Sequence, residues 1–269
     1  CCSTMSGCPV GCRFCGTGNF YVRKLTAEEI VEQVEFCLER TGVRYVNEIG
    51  KLQIMVMSMG EPLLNLDALE SAFETLYARY PKAALLISTI GPKCDWPRVL
   101  NMSVRIPTIG LQFSVHESED ARRNALIPYP SKLSLRGIAE TGLAWWQETG
   151  RKPFFNYCAT SKNISSDDAG RLRNLFPPYV WNATVSVVCE SEEGVPATSE
   201  WQRSYASSFA SELLALGYDT RVFDPAGQDD IGGGCGQLWF VQRWADNNPQ
   251  LTKRSIGFGK PRISLRGEL

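Results

Sequence analysis

The alternation of short apolar segments with longer amphipathic segments is the feature that most constrains the fold. Runs with strand character occur at residues 52–59, 83–90, 108–115, 154–159, 184–189 and 220–223. Helical spacing of apolar residues occurs at 26–41, 69–80, 133–148 and 201–216,. Strands that alternate with helices form parallel sheets with right-handed crossovers. We therefore predict one α/β domain with a parallel sheet.

Polar residues stand where several of the predicted strands end. In α/β folds, ligands bind at the carboxyl ends of parallel strands, because those ends meet at one edge of the sheet. A ligand site is therefore expected at this edge. The residues concerned are Gly60-Glu61-Pro62, Ser88-Thr89, Ser114-Val115-His116 and Glu190-Ser191.

Composition excludes several classes of protein. The 269 residues carry 28 Lys and Arg against 29 Asp and Glu, so a broad phosphate-binding surface is not indicated,. No run of 18 apolar residues that could span a membrane occurs, and no secretory signal is visible,. Of the ten cysteines, five fall within the first fifteen residues. Such clustering favours metal binding over a disulfide framework and predicts a reducing, cytoplasmic location.

Cys8, Cys12 and Cys15 have the spacing C-x3-C-x2-C. Three thiolates on a short loop can hold three irons of a cubane and leave the fourth iron open. A zinc knuckle is the alternative, but zinc sites usually combine paired C-x2-C units with a fourth ligand. His116 is the only histidine in the chain. The spacing therefore favours an iron–sulfur cluster.

Together with four further segments, this motif resembles the radical S-adenosylmethionine enzymes. The resemblance is to the branch whose members use two cysteines to methylate adenine in ribosomal and transfer RNA. It implies a partial (β/α)6 barrel, with a core over residues 1–238 and a C-terminal helix and tail over 239–269. The segments are MSMGEPLLN at 57–65, ISTIG at 87–91, FSVH at 113–116 and DDIGGGCGQL at 229–238.

The resemblance also implies two cofactors and the residues that hold them. Cys8, Cys12 and Cys15 would bind a 4Fe-4S cluster, and the open iron would take the amino and carboxylate groups of S-adenosylmethionine. Gly60 and Glu61 would contact the amino group, since an ammonium beside a carboxylate makes a charge-assisted hydrogen bond. The remaining cofactor contacts would come from Ser88, Ser114, Val115, His116 and Ser191, the last of which stands where the branch has an asparagine.

Two more cysteines acquire catalytic roles by the same resemblance. Cys235, in a glycine-rich segment, would take a methyl group from one S-adenosylmethionine. A 5′-deoxyadenosyl radical from a second molecule would then remove hydrogen from that methyl group, and the carbon radical would add to an sp2 carbon of the substrate. Cys1, seven residues before Cys8, would release the adduct by forming a disulfide with Cys235,. Cys2 is the alternative if the register shifts by one.

For the substrate, the resemblance implies an adenine base in RNA, with a flavodoxin or ferredoxin as electron donor. A small heteroaromatic compound is the alternative, because residues 224–228 lack the basic residues of the RNA-modifying enzymes,. A non-catalytic metal-binding module is the third hypothesis, but it does not explain why Gly60, Glu61 and Cys235 occur in the same sequence as the cysteine motif.

Overall fold

The structure, a computed structural model, describes residues 1–40, 50–188 and 200–224. An antiparallel pair comes first, β1 (Met5–Gly7) with β2 (Tyr21–Lys24). Six parallel strands follow and pair in chain order, which forms the curled sheet of a partial barrel. They are β3 (Gln53–Val56), β4 (Ala84–Thr89), β5 (Ile109–Ser114), β6 (Phe154–Ala159), β7 (Asn182–Val187) and β8 (Thr220–Phe223).

Helices connect the strands and cover one face of the sheet. At least one helix lies between each pair of consecutive strands from β3 to β8, as right-handed crossovers between parallel strands require,. The single α/β domain is therefore confirmed. The helices are α1 (Ala27–Arg40), α2 (Leu66–Arg79), α3 (Trp96–Arg105), α4 (Asp120–Leu126), α5 (Leu135–Thr149), α6 (Ser166–Leu175) and α7 (Glu200–Ala215).

The two faces of the sheet differ in chemistry because strand side chains alternate. Ile87 and Leu111 belong to the apolar core between the sheet and the helices. Their neighbours in sequence, Ser88 and Gln112, bond to each other, the Gln112 amide donating to Ser88 Oγ over 3.2 Å. The inner face of the partial barrel is thus polar, although parallel strands are usually apolar on both faces.

All six main strands were anticipated, but the hairpin β1–β2 and three helices were not. Helix α4 has only seven residues, which is too short to show a helical period,. Helix α6 is mostly polar, and it begins with a capping box between Ser165 and Asp168,. Helix α3 begins with a cap in which Asp95 accepts a hydrogen bond from the Arg98 amide. The predicted end of β7 at Cys189, the boundary at residue 238 and the tail over 239–269 lie outside the described residues.

The N-terminal segment runs along the free edge of β3. The Cys2 amide donates to Met55 O over 2.7 Å, and the Ser58 amide donates to Cys2 O over 3.3 Å. Cys2 is buried in the core, whereas Cys1 is exposed. This pairing fixes the two neighbouring thiols in different environments.

In the part of the chain that the structure describes, no helix combines the length and apolarity that a membrane span needs.

Candidate active site

The cysteine loop and the carboxyl ends of the strands line a cavity that opens to solvent, with about 1000 Å³ of space including its open mouth. The cavity brings together eight of the residues singled out from the sequence. They are Cys8, Cys12, Cys15, Gly60, Glu61, Ser88, Ser114 and His116.

Backbone hydrogen bonds and a small apolar cluster hold the cysteine loop in place. The Cys8 amide donates to Phe20 O over 2.8 Å, and the Arg13 amide donates to Leu126 O at the end of α4 over 3.0 Å. Cys8 and Cys12 pack against the buried side chains of Val10, Ile90 and Ile127. The loop is therefore anchored to both β2 and α4.

The chemistry of these donors fits an iron–sulfur cluster. Three soft thiols from one loop line the cavity, and thiolates are the ligands that hold such clusters,. Within the described ranges, no three His, Cys, Asp or Glu side chains converge tightly enough to hold a single metal ion. A cubane does not require such convergence, because each thiolate binds a different iron. Burial raises the pKa of the Cys8 thiol to about 11, so cluster binding must displace its proton,.

Glu61 lies in the turn after β3, where Gly60 has a φ of 98°. A side chain at Gly60 would place its Cβ 2.7 Å from the Met5 side chain, so the turn needs glycine,. The Glu61 carboxylate accepts hydrogen bonds from Thr89 Oγ1 at 2.6 Å, Ile90 N at 2.8 Å and Leu63 N at 3.1 Å. It therefore ties this turn to the end of β4. A contact with the cofactor's amino group stays a prediction.

Replacing Glu61 with glutamine should remove a pH dependence of stability. Burial raises the pKa of Glu61 from 4.5 to about 7, although its three hydrogen bonds lower it. Between pH 4.5 and 7 the folded protein therefore binds more protons than the unfolded chain, and its stability falls as pH rises. At about 1.4 kcal/mol per pKa unit, the loss should be about 3 kcal/mol and complete above pH 7,.

Urea unfolding of the cluster-free protein from pH 5 to 8 measures this loss, and Glu61→Gln should show a flatter profile. Glu140→Gln, on the exposed surface of α5, is the control and should follow the parent protein. Parallel profiles for the parent and Glu61→Gln would contradict the assignment.

His116 is a buried, neutral imidazole at the end of β5. Its Nδ1 accepts a hydrogen bond from the Cys158 amide over 3.2 Å, and its ring meets Phe14 of the cysteine loop edge to face at 5.0 Å. Burial, and then the charge of Arg123, lowers the pKa of His116 to about 3. Because Nδ1 is an acceptor, the ring proton lies on Nε2, which leaves a neutral donor for the cavity.

Several residues of the cavity wall were missed from the sequence. The Ser186 hydroxyl donates to Asn156 Oδ1 over 2.7 Å, and Asn163 fixes the nearby loop by donating to His116 O and Cys158 O. The two-residue period of β6 and β7 could have located Asn156 and Ser186, which lie on these strands,. The missed lining residues include Thr17, Met57, Ser58, Asn156, Cys158 and Ser186.

The other predicted site residues lie elsewhere. Val115 is buried and does not line the cavity; its amide donates to Asn156 O over 3.0 Å. Cys1 is exposed and is also not a lining residue, whereas burial raises the pKa of the Cys2 thiol. A raised pKa lowers the thiolate fraction of Cys2, and the attack by Cys1 stays a prediction. Ser191 and Cys235 lie outside the described residues.

The partial barrel and its three-cysteine loop define a class of protein. The sequence profile of the Radical SAM superfamily matches residues 2–140, where SAM is S-adenosylmethionine. The chain belongs to this superfamily, whose members use a 4Fe-4S cluster and S-adenosylmethionine. Both cofactors are thus confirmed at the level of the family.

More specific similarities point to methyltransferases. A probable RNA methyltransferase of Thiobacillus denitrificans is 32% identical over 95% of this chain and 67% of its own length. A probable dual-specificity RNA methyltransferase RlmN of Heliobacterium modesticaldum is 29% identical over 88% of this chain and 62% of its own. A crystal structure of a radical SAM methyltransferase from Sphaerobacter thermophilus superposes with a TM-score of 0.71 at 28% identity, covering 88% of this chain and 69% of that one. The chain therefore spans about two thirds of the length of these relatives.

Proposed function

We propose that the protein is a radical S-adenosylmethionine methyltransferase that methylates an unactivated carbon of an adenine base in RNA. The observation that carries the proposal is the cavity in which three thiols meet Glu61, Ser88 and His116. RNA as the class of substrate is supported by the names of two relatives, a probable RNA methyltransferase and a probable dual-specificity RNA methyltransferase.

Each residue has a distinct role in this proposal. Cys8, Cys12 and Cys15 would hold the cluster, which when bound would supply the electron for reductive cleavage of S-adenosylmethionine. A flavodoxin or ferredoxin in the cytoplasm would provide that electron. The Glu61 carboxylate would bind the cofactor's ammonium group, and the Nε2–H of His116 would donate a hydrogen bond to the cofactor.

The methyl group passes through Cys235. Its thiolate would take a methyl group from one S-adenosylmethionine and leave S-adenosylhomocysteine. The radical from a second molecule would abstract hydrogen from that methyl group, and the carbon radical would add to the base. The adduct would then lose one electron, returned to the oxidised cluster, and the proton of the attacked carbon. Attack of the Cys1 thiolate on the Cys235 sulfur would form a disulfide and leave the electron pair of the C–S bond on the released carbon, which takes up a proton and becomes the methyl group.

Methylation of a small heteroaromatic compound is the second candidate. It is favoured by the net charge of −1 and by residues 224–228, which carry no lysine or arginine. A protein that neutralises few phosphates would bind RNA weakly and with little salt dependence.

The test combines two mass measurements on the protein purified and loaded with its cluster without oxygen. It is incubated with RNA, a chemical reductant and S-adenosylmethionine labelled in the methyl group, and the RNA is digested to nucleosides. Label in a methyladenosine, together with one added methyl group on the peptide containing Cys235, is expected. Methylated Cys235 without labelled RNA would favour the small-molecule substrate. Cys235 that never gains a methyl group would reject the methyltransferase.

A further inference from the structure

Arg123 of α4 is a fully buried cation beside the cavity. Its guanidinium donates only to uncharged backbone oxygens: Ile90 O at 2.7 Å, Leu133 O at 2.9 Å, Ser114 O at 3.0 Å and Val115 O at 3.2 Å. None of the ion pairs in the described ranges includes it. Hydrogen bonds to carbonyls satisfy the donors but leave the charge unbalanced.

Lys132 is a second buried cation in the same region. Its ammonium donates to Tyr129 O over 3.1 Å, and only 9% of the residue is exposed. Among the carboxylates of the described residues, Asp120, one turn before Arg123 on α4, is the one that attracts both cations, and one of its oxygens already accepts a hydrogen bond from the Leu135 amide. Two buried positive charges therefore face one negative charge, an arrangement that is costly unless another anion balances it.

Contacts place both cations beside Cys12 of the cysteine loop. Ile90 and Ser114, whose carbonyls bind Arg123, line the cavity with Cys12. Tyr129, whose carbonyl binds Lys132, packs on the same small apolar cluster as Cys12. The electrostatics agree: burial lowers the pKa of Arg123 to about 10, burial and the charge of Arg123 lower the pKa of Lys132, and Asp120 and then Cys12 raise both values. The surplus of positive charge therefore lies against the loop that provides the thiolates.

We propose that Arg123 and Lys132 are the counter-charges of the iron–sulfur site and raise the reduction potential of the bound cluster. Reduction adds one electron, taken from the donor, and increases the negative charge of the site by one unit. Fixed positive charges nearby favour that product. The inference goes beyond the proposed function, because it rests on the cluster of the superfamily and not on methyl transfer or RNA.

The experiment measures the midpoint potential of the cluster-loaded protein by a redox titration followed by electron paramagnetic resonance, with iron content determined first. Arg123→Met and Lys132→Met should each make reduction about tenfold less favourable. This estimate follows from Coulomb's law at an effective dielectric constant of about 20 over roughly 10 Å. For a one-electron couple the change corresponds to a potential about 59 mV lower. Arg123→Lys keeps the charge and should keep the potential.

Arg151→Met is the matched control. Arg151 is half-buried and, like Arg123, donates to a backbone carbonyl, Ser103 O at 2.6 Å, but it precedes β6 and therefore lies at the amino-terminal ends of the strands, away from the cavity. This variant should leave the potential unchanged. An unchanged potential in Arg123→Met or in Lys132→Met overturns the proposal. If Arg123→Met does not fold, Lys132→Met decides, since it removes one side-chain hydrogen bond only. No RNA is present in the titration, so failure of the proposed function would not alter the result.

Discussion

Alanine in place of Cys12 is expected to abolish both cluster binding and the cleavage of S-adenosylmethionine. A cubane held by the two remaining thiolates of Cys8 and Cys15 is labile, because one iron loses its protein ligand and becomes open to solvent. Cys12 cannot be replaced by a neighbour, since the loop backbone is fixed to β2 and α4. Iron content and the visible absorption of the cluster should fall to background, and no 5′-deoxyadenosine should form.

Cys37→Ala is the control for this experiment. Cys37 is exposed on α1 and does not line the cavity, so its removal should leave iron content and cofactor cleavage at the level of the parent protein. Cleavage of S-adenosylmethionine by Cys12→Ala at the parent rate would refute the assignment of the cluster ligands.

The second large effect distinguishes the roles proposed for Cys235 and Cys1 when each is replaced by alanine. Cys235→Ala lacks the methyl carrier, so it should form neither methylated product nor a covalent adduct. Cys1→Ala can still build the adduct but lacks the thiol that breaks it. This variant should therefore accumulate protein that is covalently linked to its substrate. Intact-protein mass spectrometry should show the added mass in Cys1→Ala, whereas the parent protein should show no such mass after turnover.

Cys2→Ala is the matched variant, since Cys2 adjoins Cys1 but is buried in the core. It should turn over without a trapped adduct. For the disulfide to form, the Cα atoms of Cys1 and Cys235 must approach to roughly 4.4–6.8 Å. Full turnover by Cys1→Ala without an adduct would show that Cys1 has no part in release. A trapped adduct in Cys2→Ala instead would transfer the role to Cys2.

The positions of the six main strands and the cysteine motif could be predicted from the sequence because both are local patterns. The bounds of β6 and β8 agree with the prediction. The spacing of Cys8, Cys12 and Cys15 needs no tertiary information, and neither does the capping box of Thr26 and Glu29 that begins α1.

The cavity wall was harder to predict because it depends on strand pairing across the sheet. Asn156 carries no motif, and its importance appears only when Ser186 of the neighbouring strand is seen bonded to it. Arg123 looks like an ordinary charged residue on a helix, and its burial follows from the carbonyls of β4 and β5 that surround it. Val115 was assigned to the site with its neighbours, but alternation turns its side chain into the core,.

Because Cys2 pairs with the edge of β3, the number of residues between Cys2 and Cys8 matters for the proposed role of Cys1. Because hydrogen bonds to Met55 and from Ser58 fix Cys2, the number of residues between that edge and Cys8 sets the distance from the exposed Cys1 thiol to the cysteine loop. One residue inserted between Cys2 and Met5 would remove no side chain of the site. It would, however, shift the register of Cys1 and Cys2 against β3 by one residue, and such a shift turns each of the two side chains to the other face of the sheet. In the proposed mechanism, the seven-residue spacing between Cys1 and Cys8 therefore sets how far the Cys1 thiol lies from the cluster ligands, and an insertion or deletion within it should impair release of the adduct.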